Sequence, residues 1–273
     1  MTVLYVVATP IGNLEDITFR ALRVLREVGI VAAEDTRTTR KLLTHYNINQ
    51  TLTSYNEHNR AVKIPKLMET LKTKPVALVS DAGAPCISDP GYELVLKAIE
   101  SGVPVVPIPG PSAVTTALAV SGVPPEGFRF LGFLPRRKGH RLRLLESLKS
   151  ELGAIVAFEA PHRLRATLEG ILEGLGDRDM TVCREMTKLH EEVFRGTVSQ
   201  ALEHFSEPRG EFTLVIQGSS GAEPAGDPQW AQEELRRLKL DGAKAREAVA
   251  LVSQAAGLSR KQAYRLWLDA QGP

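Results

Sequence analysis

Short runs of continuously apolar, β-branched residues recur through the first half of this chain. Val3–Ala8, Ile30–Ala33, Val76–Ser80 and Val103–Ile108 carry almost no polar side chain. A strand with one wet face alternates apolar and polar residues, whereas a strand covered on both faces need not. The four runs therefore read as buried strands. Between them, apolar residues recur at helical spacing. One helix is expected to be capped by Asp16, to run to Val28 and to stop at Gly29; others are expected over Gly91–Ser101 and Ser112–Ser121. Strand–helix alternation of this kind predicts a parallel sheet.

The pattern breaks at Gly122-Val123-Pro124-Pro125 and then restarts. Phe128–Gly132, Ala154–Glu159, Met180–Arg184 and Phe212–Gln217 read as strands, with helices over His140–Leu152, Arg163–Leu175 and Val198–Phe205. A Gly-, Ser-, Ala- and Pro-rich stretch reads as a linker. Beyond it, Trp230–Leu238, Ala243–Ala256 and Ser259–Leu268 read as three helices. Ser259 is the expected N-cap of the last, at a corner resembling a helix–turn–helix. The expected organisation is an α/β domain over 1–121, a second α/β domain over 122–218, a linker over 219–228 and a helical tail over 229–273.

Bulk properties narrow the function. The net charge of +2 is too small to announce a nucleic-acid partner, so any such partner must meet local basic clusters. The two cysteines lie far apart, which argues for a reducing compartment and against a metal site. No signal-peptide pattern opens the sequence and no apolar run is long enough for a membrane span. A cytoplasmic protein without bound metal is the expectation.

Three loops follow strands of the first domain: Ala8–Asn13, Ser80–Gly91 and Pro107–Ala113. In an open parallel sheet the carboxyl ends of the strands share one rim, where ligands bind. Neither a G-x-G-x-x-G nor a G-x-x-x-x-G-K-[ST] pattern is present, and the loops hold few cations, so a dinucleotide or phosphate site is unsupported. The composition suits a ligand held by backbone groups, small side chains and a carboxylate. For any one loop, Gly and Pro serving only as turn formers is the simpler reading; convergence of three favours a site.

At this point the strings become specific. Tyr5-Val-Val-Ala-Thr-Pro-Ile-Gly-Asn13, Ala33-Glu-Asp-Thr-Arg37, Ser54-Tyr-Asn-Glu-His-Asn59, Ser80 to Gly91 and Pro109-Gly-Pro-Ser-Ala113 stand in the first domain. Gly132-Phe-Leu-Pro-Arg136, Phe158-Glu-Ala-Pro-His-Arg163, Arg184-Glu-Met-Thr-Lys188 and Gly210-Glu-Phe-Thr-Leu-Val215 stand in the second. Over residues 3 to 217 the chain resembles the class III, tetrapyrrole-methylase-type methyltransferases. More narrowly, it is similar to their bacterial branch that methylates the ribose 2′-oxygen of a cytidine in small-subunit (16S) ribosomal RNA.

The resemblance implies S-adenosylmethionine held in a cleft between the two α/β domains, a small helical tail and a homodimer. Carried over by position, it implies contacts to the cofactor from Pro10, Asp81, Ala82, Gly83, Ala84, Ile87, Ser112 and Ala113. From the second domain it implies Phe158, Glu159, Met186 and Thr213. Where the wider superfamily has Gly-Asp-Pro, this chain has Gly83-Ala84-Pro85, and Asp81 takes the carboxylate role.

Methyl transfer from a sulfonium needs an aligned nucleophile and a proton acceptor rather than a metal. A ribose hydroxyl is a weak nucleophile and gains from a base. Glu34, Asp35 and His58 are the candidates, His58 for its ordinary pKa. Two of them have a plain structural alternative: Asp35 can pair with Arg37, and Glu57–His58 can cap the helix from Arg60.

Arg37, Arg136, Arg137, Lys138 and Arg163 are the expected contacts to RNA phosphates, with the assembled subunit as the expected substrate. Two other readings stay open: a methyltransferase of a small tetrapyrrole or diphthamide-type substrate, and a non-catalytic RNA-binding assembly factor.

Overall fold

The computed structural model describes residues 2–124, 127–219, 228–256 and 258–270. Its first sheet holds β1 (Leu4–Val7), β2 (Ile30–Ala33), β3 (Leu52–Ser54), β4 (Val76–Val79) and β5 (Val105–Ile108). All pairings are parallel, in the order β3-β2-β4-β1-β5. Helices α1 (Phe19–Glu27) and α2 (Thr36–His45) cover one face, α3 (Arg60–Leu71) and α4 (Tyr92–Glu100) the other. Where both faces are covered, as in β4, the apolar run is continuous; β5, expected to be buried, is instead the edge strand, with Val105 and Val106 half-buried and Pro107 exposed. In β4, Ala77 and Val79 pack toward α1 and α2, while Val76 and Leu78 pack toward α3 and α4. Truncating a side chain as buried as Leu78 to Ala costs ~2–5 kcal/mol in such settings.

The second sheet holds β6 (Phe128–Phe133), β7 (Ala154–Glu159), β8 (Asp179–Arg184), β9 (Glu192–Thr197) and β10 (Phe212–Ile216). Its order is β6-β7-β10-β8-β9, with β6 parallel to β7 and the other pairs antiparallel. Helix α5 (Ala113–Ser121) follows the first sheet in sequence yet packs Val114 and Ala117 onto the second, against Val156 and Val215. Thr181 Oγ1 anchors its end by donating to Ser121 O at 2.8 Å. The opposite face carries α6 (Lys138–Glu146), α7 (Leu164–Leu175) and α8 (Val198–His204).

Helices α9 (Pro228–Leu240), α10 (Ala245–Ala255) and α11 (Arg260–Asp269) gather around their own core, which includes Leu235, Val252 and Trp267. Ser259 caps α11 through a capping box with Gln262. The expected linker, 219–228, lies outside the described residues except at its two ends, as does Gly257 of the corner. No helix among the described residues is long and apolar enough to cross a membrane.

Local expectations are corrected at several points. Asp16 does not cap α1. The Asn13 side chain accepts from Glu15 N and closes a separate turn over Leu14–Asp16, and Thr18, in extended conformation, caps α1 by accepting from Ala21 N. Helix α6 starts at Lys138 and ends at Glu146 rather than spanning His140–Leu152. The polar helix α2 and the charged edge strand β9 have no counterpart in the hydrophobic pattern.

Candidate active site

The loops leaving β1 and β4 are stapled together. Thr9 and Gly83 exchange backbone hydrogen bonds of 2.9 and 3.0 Å, and Thr9 Oγ1 donates to Ser80 O at 3.1 Å. The loop after β5 delivers Ser112 and Ala113 to the same rim.

The facing wall belongs to the second sheet. Because β10 runs antiparallel between β7 and β8, its beginning meets their ends, and Phe212 pairs with both Glu159 and Arg184. The walls touch at several points. Asn13 N donates to Thr187 Oγ1 at 3.0 Å. Gly132, at φ +64°, sits beside the β6 bulge, where a Cβ would stand 2.8 Å from Ser88 Oγ.

Between the walls lies a cleft of about 390 Å³, within the size range of small-ligand sites. Every residue expected to hold the cofactor lines it except Pro10, which is buried within the first loop. Glu34 lines it as well; Asp35 and His58 do not. Sequence reasoning passed over Phe133, Ser88, Asp89, Cys183 and Glu211, which also line it. Ser88, Asp89 and Phe133 lay inside the quoted strings without being singled out. Glu211 also lay inside a quoted string; its place on the rim follows from the antiparallel pairing of β10 with β7 and β8, which the string does not reveal.

Acidic groups crowd the first wall. Asp81 Oδ1 accepts from Asp35 N at 3.1 Å, and Glu34 Oε2 accepts from Asp81 N at 3.3 Å. Burial, and then the charge of Glu34, push the Asp89 carboxyl up to about 6, against a hydrogen bond from Ser80. Burial is also the largest cause that raises Glu34 and Asp81. Among the described residues none of the three is in an ion pair, and Arg37 is taken by Asp35, 2.6 Å away.

Asp35 is thereby accounted for. It caps α2 by accepting from Arg37 N at 2.8 Å, and hydrogen bonds from the Arg37 side chain and backbone hold its carboxyl down at about 2. His58 is exposed, with its backbone N–H donating to Asn56 Oδ1; Glu57 pairs with Arg60 at 2.7 Å instead of capping α3.

The expected RNA contacts divide. Arg136 and Arg137 are exposed just before α6. Lys138 reaches Glu173 at 3.0 Å. Arg163 is turned inward: its Nε lies 3.3 Å from Glu159 Oε1, whose partner oxygen accepts from Thr167 Oγ1 at 2.5 Å. Among the described residues no group of three or more His, Cys, Asp or Glu is placed to hold a metal ion.

Two α/β layers meeting at a carboxylate-rimmed cleft define a two-domain methylase fold. Residues 3–202 match the family model of the tetrapyrrole (corrin/porphyrin) methylases, and the chain belongs to that family. A relative from Halalkalibacterium halodurans, "Ribosomal RNA small subunit methyltransferase I", is 44% identical over 97% of this chain and 94% of its own length. A relative of the same name from Thermotoga maritima is 56% identical over 79% of this chain and 98% of its own length.

Among solved structures, uroporphyrin-III C-methyltransferase from Thermus thermophilus, complexed with S-adenyl homocysteine, superposes with a TM-score of 0.58 at 20% identity, covering 79% of this chain and 97% of that one. A diphthine synthase does so with a TM-score of 0.64 at 16% identity, covering 79% and 90%. At these identities the likeness to the solved structures is one of fold.

Proposed function

We propose that this protein transfers a methyl group from S-adenosylmethionine to the ribose 2′-oxygen of a cytidine in small-subunit ribosomal RNA. The observation that carries the reading is the near-full-length identity, 44% over 97% of the chain, to a protein named for that RNA. The cleft supports the cofactor. Burial pushes the Asp81 carboxyl up, and a cationic ligand beside it favours its ionised form; S-adenosylmethionine carries a sulfonium and an ammonium. Ile87, Phe158 and Met186 offer the apolar surface its adenosine needs, and Asp81 is the carboxylate assigned to it.

When bound, the cofactor supplies a methyl group already activated for displacement. The chain must then align the ribose and accept one proton. Of the candidates, Glu34 lines the cleft, and Asp89 beside it has the higher affinity for a proton that a base near neutral pH requires. Asp89 Oδ is our choice to take the hydroxyl proton, with Glu34 supporting it. Asp35 is set aside because a carboxyl held at about 2 is a weak base.

Arg136 and Arg137 are assigned to RNA phosphates; Arg37, like Lys138, is engaged by a carboxylate and is left out. The assembled small subunit in the cytoplasm is taken as the substrate. A homodimer is supported by Tyr92, Leu96 and Ile99, which form an exposed apolar stripe on α4. The deciding measurement is nucleoside mass spectrometry of small-subunit RNA from cells lacking this protein. Loss of one 2′-O-methylcytidine, restored by the purified protein and S-adenosylmethionine, is expected. An unchanged nucleoside profile overturns the reading.

A further inference from the structure

Beneath the exposed Arg136 and Arg137 lies a buried arginine. Arg141, in α6, is 6% exposed and has no carboxylate within ion-pair distance among the described residues. Its Nη1 donates to the carbonyl oxygens of Pro135 and Arg136 at 3.3 Å each, and its Nη2 to Ala166 O at 3.0 Å. Its Nε has no acceptor among the described residues. Arg163 donates to the preceding carbonyl, Leu134 O. Three successive carbonyls, 134 to 136, therefore face inward onto two guanidinium groups. Arg163 also touches Glu159, so the same turn is tied to the wall of the cleft.

Packing alone does not call for this residue. A guanidinium without a counter-charge is costly to bury, and a long apolar side chain would join α6 to α7 at less cost. Space is kept for it nonetheless: a Cβ at Gly170 would lie 3.0 Å from Arg141 Nε. What an apolar residue cannot do is bind three carbonyls at once. Lysine has three donors but on one compact head, so it cannot span the carbonyls of the turn and Ala166 O together as the two nitrogens of the planar fork do.

We propose that Arg141 is a positioning residue for the RNA substrate. It fixes the turn at 134–137 so that Arg136 and Arg137 stand ordered beside the cleft, three and four residues beyond Phe133, which lines it. Ordering them before binding removes the entropy that two long side chains on a loose loop would lose against phosphates. The proposal rests on RNA being the substrate.

The test uses the full chain, small ribosomal subunits and S-adenosylmethionine. R141M should raise KM for subunits about tenfold, the loss expected for charge-assisted hydrogen bonds. Its kcat and its Kd for S-adenosylmethionine should move by less than about twofold. R141K, which keeps the charge and loses the fork, should behave like R141M; full recovery by lysine overturns the positioning role. In an R136A/R137A background, R141M should add less than about twofold, because it acts through that loop. Losses that multiply in full overturn the proposal.

G170A covers the case in which R141M does not fold. It crowds the guanidinium without removing it, and alanine favours a helix interior over glycine. KM for subunits should rise a few-fold while the thermal midpoint holds or rises. Wild-type KM in both R141K and G170A overturns this proposal while the methyltransferase reading stands. A wild-type protein that does not methylate subunits overturns both.

Discussion

Asp89 and Asp81 lie on one wall of the cleft but are expected to fail differently. Burial and the neighbouring Glu34 raise the Asp89 carboxyl to about 6. Below the ordinary carboxylate range, folded and unfolded chains both hold its proton. As pH rises through about 6, the folded chain must ionise a group that the unfolded chain ionised earlier, and the stability tied to that proton is lost. Asp89→Asn should therefore leave the thermal midpoint unchanged near pH 4 and raise it near pH 8. Methyl transfer should move the opposite way. In the wild type, kcat/KM should climb through pH about 6 as the base ionises, and the Asn variant should be slow without that limb. An Asn variant whose pH–rate profile matches the wild type would remove Asp89 from the chemistry. Asp81 is braced by the Asp35 backbone and is assigned to the cofactor. Asp81→Ala should weaken S-adenosylmethionine binding by about tenfold or more, the range for a charge-assisted hydrogen bond. Affinity for the subunit should remain. Equal loss of both affinities in a folded variant would argue that Asp81 only holds its loop.

At the scale of elements, the start of α1 shows how a local signal can mislead. Asp16 has the right residue type for an N-cap and the wrong backbone, because Asn13 has already closed a turn over Leu14–Asp16. Thr18→Ala should cost ~1 kcal/mol of stability and Asp16→Ala much less, as denaturant midpoints would show. What could be read from the sequence were features set by local pattern: the strands β1, β2, β4 and β5 as elements, and the loops at their ends, though β5 is a partly exposed edge strand rather than a buried one. Features set by distant pairing could not be read. The insertion of β10 between β7 and β8 brings Glu211 to the rim across more than twenty residues, and β9 is an edge strand whose charged residues hide its pairing. Arg163 was legible as a basic residue beside a loop; its burial against Glu159 was not. The basic turn before α6 survives as the proposed phosphate-binding element, minus Lys138, which Glu173 engages. Replacing Arg136 and Arg137 by Ala should weaken subunit binding and make its logarithmic salt dependence shallower, by ~0.7–0.9 for each phosphate that is no longer neutralised. Affinity for S-adenosylmethionine should be unchanged. An unaltered salt slope would take this turn out of the RNA footprint.

For the whole molecule, the question is how many functions the three bodies divide between them. Among the described residues, the cleft is lined by the two sheets, the loops at their ends and the start of α5, and none of its lining comes from α9–α11. Those helices have their own core, and Lys244, Arg246, Arg260, Lys261 and Arg265 are exposed on them. The Thermotoga maritima relative is matched over 98% of its length by only 79% of this chain, so about a fifth of this chain lies outside that match, about as much as the linker and tail together contain. We therefore expect a chain ending at Ser219 to fold and to bind S-adenosylmethionine as the full chain does. The tail adds basic surface away from the reacting atoms, so its removal should act on KM for the subunit and on the salt slope, leaving kcat at saturating subunit nearly unchanged. Steady-state methylation by the truncated and full chains across a salt series checks this. Identical KM and slope would show that the tail is no RNA module. A collapse of kcat with KM unchanged would show instead that the tail orders the cleft from a distance.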